Sequence, residues 1–328
     1  MKRCTVGGQA VLEGVMMRTP AGGVAVAVRK SDGSIVTEYT EYPTRAKKGT
    51  FLGWPVVRGV VAFVESLVTG MRITMRSAEL FGEEEAQEQP SRFERWLAEK
   101  LGKSAMDIMM GVAVVLAVLL ALGLFFFLPT FVTQLIPWHE TARTIWKSLT
   151  EGGVRLLVFV LYLVAISAMK DVRRLFMYHG AEHKTIFCYE AGLPLTVENV
   201  RKQPLHHPRC GTSFLLIVMV ISILVFSIIP WQQESFTHIP VIGVMFSAMP
   251  WAIWRLILRL LLLPIVAGIS YEIIKFAGRH DNWFTRAISA PGMWFQLITT
   301  NEPEDDQIEV AIRSLKAVIP EDKTADVW

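Results

Sequence analysis

The stretch of residues 108–136 contains no charged side chain and is apolar over most of its length. A helix that crosses a bilayer needs about 20 consecutive apolar residues, and this stretch is long enough. The whole chain agrees, because 52% of its 328 residues are hydrophobic and only 19% are charged, whereas an average soluble domain has about 25% charged residues. The sequence therefore predicts an integral membrane protein whose main partner is the lipid bilayer.

Three further stretches are candidates for membrane spans: residues 154–169, residues 213–231, and a segment within residues 241–274. The predicted fold class is mainly α, a polytopic helical membrane protein with about four spans. The last segment is too long for one span and contains Pro250 and Pro264. It is read either as one span preceded by an interfacial piece at residues 241–254 or as two spans.

Lysine and arginine residues in short loops indicate which loops stay in the cytoplasm. They are concentrated before the first span and between the second and third spans, whereas Arg143 and Lys147 are the basic residues between the first and second. Both termini and the loop of residues 170–211 are therefore predicted to lie on the cytoplasmic side of a cell membrane. A fifth span would place the C-terminus on the other side.

The remaining segments are predicted to form a small α+β cytosolic part. Residues 24–42 alternate apolar and polar side chains around the turn sequence KSDGS, which indicates an N-terminal β-hairpin. Helical spacing of apolar residues in residues 55–80 and near the C-terminus indicates amphipathic helices. The predicted parts are a hairpin and helix at 1–81, a linker and juxtamembrane helix at 82–106, a membrane domain at 107–277, and a C-terminal tail at 278–328.

The sequence HGAEH in the predicted cytosolic loop indicates a metal site. His179 and His183 are four residues apart, so a helix would place both imidazoles on one face with Glu182 beside them. This is the H-x-x-E-H pattern, in which the histidines bind Zn²⁺ and the glutamate is the catalytic base. Zn²⁺ or another divalent transition metal would need further ligands, and the candidates on the same predicted side are His207, Cys210, His280 and Asp281.

A plainer interpretation of these residues remains open. Histidines are common in the polar layer next to a membrane, and the positive charge of Lys184 beside His183 would disfavour a cation. Glu13 also has two interpretations, as a further ligand or base of the site or as the partner of an ion pair with Arg18 or Arg58.

Four motifs carry a resemblance to a known family: GGQAVLEGVMMRTP, YHGAEHKTIFCYEAG, HHPRCGTSFL and AGRHDNWFTRAISAPGMWFQLITTNEPEDDQIEVAI. Together they resemble the YqhQ-like bacterial membrane proteins, a family of unknown function, and the resemblance covers nearly the whole chain. It implies a multi-pass membrane protein and a metal-dependent enzyme without a defined reaction. The residues of this chain in the family's motifs are Glu13, His179, Glu182, His183, His206, His207, Cys210, Arg279, His280 and Asp281.

Three functions fit these observations. The first is a metal-dependent hydrolase acting at the membrane surface. The second is a channel or transporter, which with so few spans would be a homo-oligomer and would use Arg255 and Arg259, although snorkelling of both to the interface is the favoured reading. The third is a scaffold or regulator that binds protein partners through its cytosolic segments. A net charge of +3 without a basic arm predicts no nucleic-acid partner.

Overall fold

The computed structural model describes residues 6–19, 22–47, 49–82, 104–137, 144–208, 210–228, 251–280 and 282–319. The strands are β1 (Gly7–Val11), β2 (Gly14–Arg18), β3 (Gly23–Arg29) and β4 (Ile35–Glu41). The helices are α1 (Val57–Gly82), α2 (Ser104–Leu122), α3 (Leu128–Gln134), α4 (Thr144–Ser167), α5 (Lys170–Glu190), α6 (Val197–Arg201), α7 (Gly211–Ile228), α8 (Trp251–Arg279), α9 (Trp283–Thr299) and α10 (Asp305–Val318). A π-helical turn, Gly123–Phe127, joins α2 to α3.

The four strands form one antiparallel sheet in the order β1-β2-β3-β4. The hairpin predicted in residues 24–42 is confirmed as β3 and β4, with Val26 opposite Glu38. The first hairpin, in which Val11 is opposite Gly14, was not predicted. Its second strand, β2, is buried almost throughout and does not alternate between apolar and polar residues, so the usual strand signal is absent.

Helices cover both faces of this sheet. Val15 and Met17 of β2 point to a core shared with α5 and α10, while Met16 points to a core shared with α1. The amphipathic helices predicted before the first span and near the C-terminus are therefore packed on the sheet. This packing matters for function because it holds α5, which carries the HGAEH sequence, against β1 and β2.

Three helical stretches are long and apolar enough to cross a membrane: Val114–Gln134, Trp146–Ser167 and Leu256–Ala277. A fourth, Phe214–Ser227, is apolar but shorter. The predicted polytopic helical fold is therefore confirmed as three candidate spans and one shorter apolar helix among the described residues. Residues 241–250 lie outside that part, and residues 251–254 are the first turn of α8.

Helix α1 connects the sheet to the apolar helices. A Cβ at Gly59 would lie 2.9 Å from the Cα of Gly268, so the backbones of α1 and α8 are in close contact. Beside this contact the guanidinium of Arg58 pairs with the carboxylate of Glu272. The rings of Phe63 and Phe214 are 5.9 Å apart and extend the packing to α7.

A network of buried charges lies near the ends of the apolar helices that are far from α5. One carboxylate oxygen of Glu151 accepts hydrogen bonds from Arg259 at 2.7 Å, Arg155 at 3.0 Å and the Thr130 hydroxyl at 3.1 Å. Arg155 also donates to the carbonyl of Phe125 in the π-helical turn, at 3.0 Å. The expectation that Arg259 snorkels to the interface was wrong, because this side chain is only 5% exposed and is ion-paired. The side chain of Arg255 lies outside the described residues.

Replacing Glu151 by alanine is expected to destabilise the protein by about 3–5 kcal/mol, because the buried guanidinium of Arg259 and the half-buried one of Arg155 lose their shared carboxylate. The measurement is the unfolding midpoint of the detergent-purified protein. Glu198→Ala is the matched control, since its ion pair with Lys202 is exposed and contributes little. Equal midpoints for the two variants would show that the network does not hold the helices together.

Candidate metal centre

Helix α5 begins shortly after α4 and carries the HGAEH motif, with His179, Glu182 and His183. Its first turns are partly exposed, but most residues from Tyr178 to Glu190 are buried, although several are polar or charged. Buried polar groups need hydrogen-bond partners or a ligand. These buried polar side chains make the second half of α5 the candidate for a functional site.

The histidines of α5 meet Cys210, the residue before α7. The Nε2 atom of His179 lies 3.1 Å from the Sγ atom of Cys210, and the rings of His179 and His183 are 4.4 Å apart. The three potential ligand atoms lie within 4.8 Å of one another. A zinc ion binds imidazole nitrogen at about 2.0 Å and thiolate sulfur at about 2.3 Å, so this spacing fits one ion.

Backbone carbonyls orient both imidazole rings. The Nδ1 atom of His179 is 2.8 Å from the carbonyl oxygen of Thr299, and that of His183 is 2.8 Å from the carbonyl oxygen of Leu205. A carbonyl can only accept, so each Nδ1 carries a proton, and in a neutral imidazole the Nε2 atom then presents a lone pair. The Nε2 of His183 is buried and has no hydrogen-bond partner among the described residues. This is the arrangement that metal-binding histidines have, and it shows that the residues present fit a metal ion.

Glu182 lies beside this group and is almost completely buried. Burial raises the pKa of its carboxyl group to about 8, while the nearby His179 and the backbone N–H of Gly8 act in the opposite direction. One of its oxygens has no hydrogen-bond partner in the described part of the chain. This pKa is closer to physiological pH than that of an ordinary carboxyl group, which suits proton transfer.

Burial also lowers the pKa of His183 below its ordinary value, with smaller contributions from His179 and His207. The imidazole is therefore neutral at physiological pH, which is the form that binds a metal. The objection that the charge of Lys184 would repel a cation does not hold, because its ammonium group binds the Glu302 carboxylate and the Arg201 carbonyl.

His207 lies in a second layer behind His183. The two rings are 5.7 Å apart, and the Nε2 atom of His207 is 3.7 Å from the carboxylate of Glu190. The side-chain amide of Gln296 binds both the N–H and the carbonyl of His207, each at 2.8 Å. His207 is thus held firmly near the site, but it is not a member of the three-ligand group.

The other two candidate ligands are not brought into this group. His280 is exposed at the end of α8, with its ring stacked on Phe276 and its Nδ1 atom 3.0 Å from the Phe276 carbonyl. Asp281 lies outside the described residues. The part of the chain that the structure describes contains one group of three potential ligands, His179, His183 and Cys210.

Glu13 holds α5 in position. It lies in the turn between β1 and β2, and its carboxylate binds the guanidinium of Arg174 and the hydroxyl of Tyr178, the latter at 3.0 Å. The expectation of an ion pair with Arg18 or Arg58 was wrong. The sequence could not identify Arg174, because this contact depends on how the hairpin docks on the helix.

The sequence of the chain matches a family of known proteins. A sequence profile described as "Protein of unknown function (DUF1385)" matches residues 54–321. The chain belongs to this family. "Uncharacterized protein YqhQ" of Bacillus subtilis (strain 168) is 33% identical to it over 322 residues, which are 95% of this chain and 92% of the relative. No solved structure matches the chain.

The resemblance carried by the four sequence motifs is therefore confirmed. The segment shared with the DUF1385 family contains His179, Glu182, His183 and Cys210, and it begins after the four strands. Residues that sequence reasoning missed are Leu205 and Thr299, which act through their carbonyl groups, and Gly8, which contacts Glu182. Backbone contacts of this kind leave no signal in residue type.

Proposed function

We propose that this member of the DUF1385 family is a metal-dependent hydrolase that acts next to the membrane. The observation that supports the proposal most directly is the convergence of His179, His183 and Cys210, with both imidazoles oriented by backbone carbonyls. Two imidazoles and one thiolate leave a fourth position of a tetrahedral shell for water or substrate. When bound there, Zn²⁺ or another divalent transition metal would polarise the substrate and make water more acidic.

Glu182 lies beside the grouped ligands, and a divalent cation bound there would favour the ionised carboxylate that a catalytic base needs. Glu182 would take a proton from the water molecule that attacks the substrate and pass that proton to the leaving group. Burial of Glu182 keeps bulk water from competing for this proton. Cys210 directly precedes α7, and the positive end of a helix dipole favours the thiolate form that a metal requires.

The site is proposed to face the cytoplasm. The basic residues of the loop between the second and third spans support this orientation. The site is also close to the ends of two apolar helices, because α5 begins at Lys170 after α4 ends at Ser167, and Cys210 precedes the first residue of α7. A substrate would therefore be processed at the membrane surface.

Removal and return of the metal tests this function. Detergent-purified protein is assayed against a panel of ester, amide and phosphodiester substrates before treatment with 1,10-phenanthroline, after it, and after addition of one equivalent of Zn²⁺. We expect hydrolysis of at least one class that disappears with the chelator and returns with the metal. Hydrolysis that is insensitive to the chelator, or none by the metal-loaded protein, would contradict the proposal.

The channel or transporter alternative is favoured by one observation, the buried network of Glu151, Arg155 and Arg259 within the apolar helices. Charged residues inside spans often mark a transport path. If transport is the function, ion or solute uptake into vesicles should depend on Glu151 and should be unaffected by Glu182→Gln. If hydrolysis is the function, Glu182→Gln should reduce it strongly, whereas a Glu151 variant should affect it only through the loss of stability.

A further inference from the structure

The strand nearest to the candidate metal centre is an edge strand. In the described residues β1 pairs with β2 on one side only, and Gly8 lies opposite Met17 in that pairing. Edge strands present backbone N–H and carbonyl groups that another extended chain can pair with. The second half of α5, which carries Glu182, packs beside this strand.

Gly8 is in direct contact with Glu182. A Cβ atom at Gly8 would lie 2.7 Å from the Cδ atom of Glu182, so the strand backbone approaches the carboxylate more closely than any other residue type would allow. The N–H of Gly8 interacts with this carboxylate and therefore points away from β2. Because hydrogen-bonding directions alternate along an antiparallel strand, the backbone groups of Ala10 point to the same side.

Strand β1 is only partly covered. Gly7 is exposed, and Gly8, Gln9 and Ala10 are half-buried. A chain that pairs with β1 would run at about 4.8 Å from it. Such a chain would pass next to the Glu182 carboxylate, which contacts Gly8 and adjoins His183 in the sequence of α5.

We propose that the substrate of this site is a polypeptide that binds in an extended conformation along the outer edge of β1. The inference rests on the proposed hydrolase function and specifies its substrate class. Main-chain pairing would supply affinity with little dependence on side chains. In the reaction, the oxygen of a water molecule bonds to the peptide carbonyl carbon and the C–N bond breaks. A water proton moves through Glu182 to the leaving nitrogen, so the products are a carboxylate and an amine.

The charges near the site favour a peptide over an anionic lipid head group. A phosphate would need cationic side chains directed at it. Among the described residues of α5, the cations nearest to the motif on either side are Lys184 and Arg174, which are bound to the carboxylates of Glu302 and Glu13. Neutral amide groups need no such charge and match the N–H and carbonyl groups of an edge strand.

Peptide hydroxamates test this inference by binding, without the need to know the cleaved sequence. The full-length zinc-loaded protein in detergent is titrated by calorimetry with acetohydroxamate and with alanine tripeptides that carry a hydroxamate at either end. We expect at least one tripeptide series to bind about 10-fold or more tightly than acetohydroxamate, since hydrogen bonds to β1 are added to metal binding.

The matched control uses the tripeptide series that binds more tightly, with one backbone amide methylated at a time. Methylation of the amides that face β1 should remove the gain in affinity, whereas methylation of the alternate amides should leave it nearly unchanged. Ala10→Pro, which removes one outward N–H without breaking the β1–β2 ladder, should weaken the tripeptide and leave acetohydroxamate binding unchanged. The methylated peptides are tested on the wild-type protein, so their result does not depend on whether Ala10→Pro folds.

The outcomes separate the inference from the proposed function. If acetohydroxamate binds to the zinc-loaded protein and the tripeptides bind no more tightly, the substrate is not an extended peptide and the hydrolase proposal stands. Equal losses at all methylated positions would likewise overturn pairing with β1. If the protein holds no zinc, or if acetohydroxamate does not bind in its presence, the proposed function fails and the inference fails with it.

Discussion

Replacing Glu182 by glutamine is expected to reduce the rate of hydrolysis by at least about 100-fold while the metal stays bound. Glutamine has nearly the same shape as glutamate but cannot take a proton from water. Glu182 is not one of the three grouped ligands, so its replacement should leave His179, His183 and Cys210 in place. The measurement combines the rate on whichever substrate class the panel identifies with the zinc content of the same preparation.

Glu198→Gln is the control for this experiment, because Glu198 is an exposed carboxylate on α6 that pairs only with Lys202 in the described structure. It should retain the wild-type rate. A Glu182→Gln protein that is as active as the wild type would mean that any bound metal is structural and would favour the scaffold alternative. Loss of zinc in this variant would instead make Glu182 a ligand.

Zn²⁺ is expected to raise the thermal unfolding midpoint of the wild-type protein strongly, and His183→Ala should remove most of this effect. A ligand that binds only the folded state at 1,000 times its Kd stabilises that state by about 4 kcal/mol, which corresponds to at least about 5 °C. The His183 ring is buried with its Nε2 directed at the candidate metal centre, so the variant loses a ligand that no solvent group replaces. The midpoint is followed by tryptophan fluorescence with and without the metal.

Two comparisons make this result specific. Mg²⁺ should produce a much smaller shift, because it prefers oxygen ligands to imidazole and thiolate. His280→Ala should keep the full zinc-dependent shift, since His280 is exposed and lies outside the three-ligand group. A shift that persists in His183→Ala would place the zinc elsewhere on the protein.

The membrane helices could be predicted from sequence because the bilayer requires long apolar runs, and such runs are visible without knowledge of tertiary structure. The sheet could be predicted only in part. Strands β3 and β4 showed alternation and a clear turn, whereas β2 is covered by helices on both faces and therefore lacks an alternating pattern. Arg259 was misjudged because its partner, Glu151, is distant in sequence and lies on another helix.

The residues of the candidate site, like the sheet, could be predicted only in part. His179, Glu182 and His183 follow from helical spacing alone. The choice of Cys210 among several candidate ligands, and the exclusion of His280 from the group, depend on how the start of α7 and the end of α8 are placed relative to α5. The carbonyl groups of Leu205 and Thr299 could not be predicted, because any residue type can supply a backbone oxygen.

Metal content measured by mass spectrometry tests the central claim most directly. Wild-type protein purified in detergent is compared with a His179→Ala, His183→Ala double variant and with His280→Ala, after confirmation that all three are folded. We expect about one equivalent of zinc or another divalent transition metal in the wild type and in His280→Ala, and almost none in the double variant. Folded wild-type protein without bound metal, or a double variant that retains it, would contradict the account.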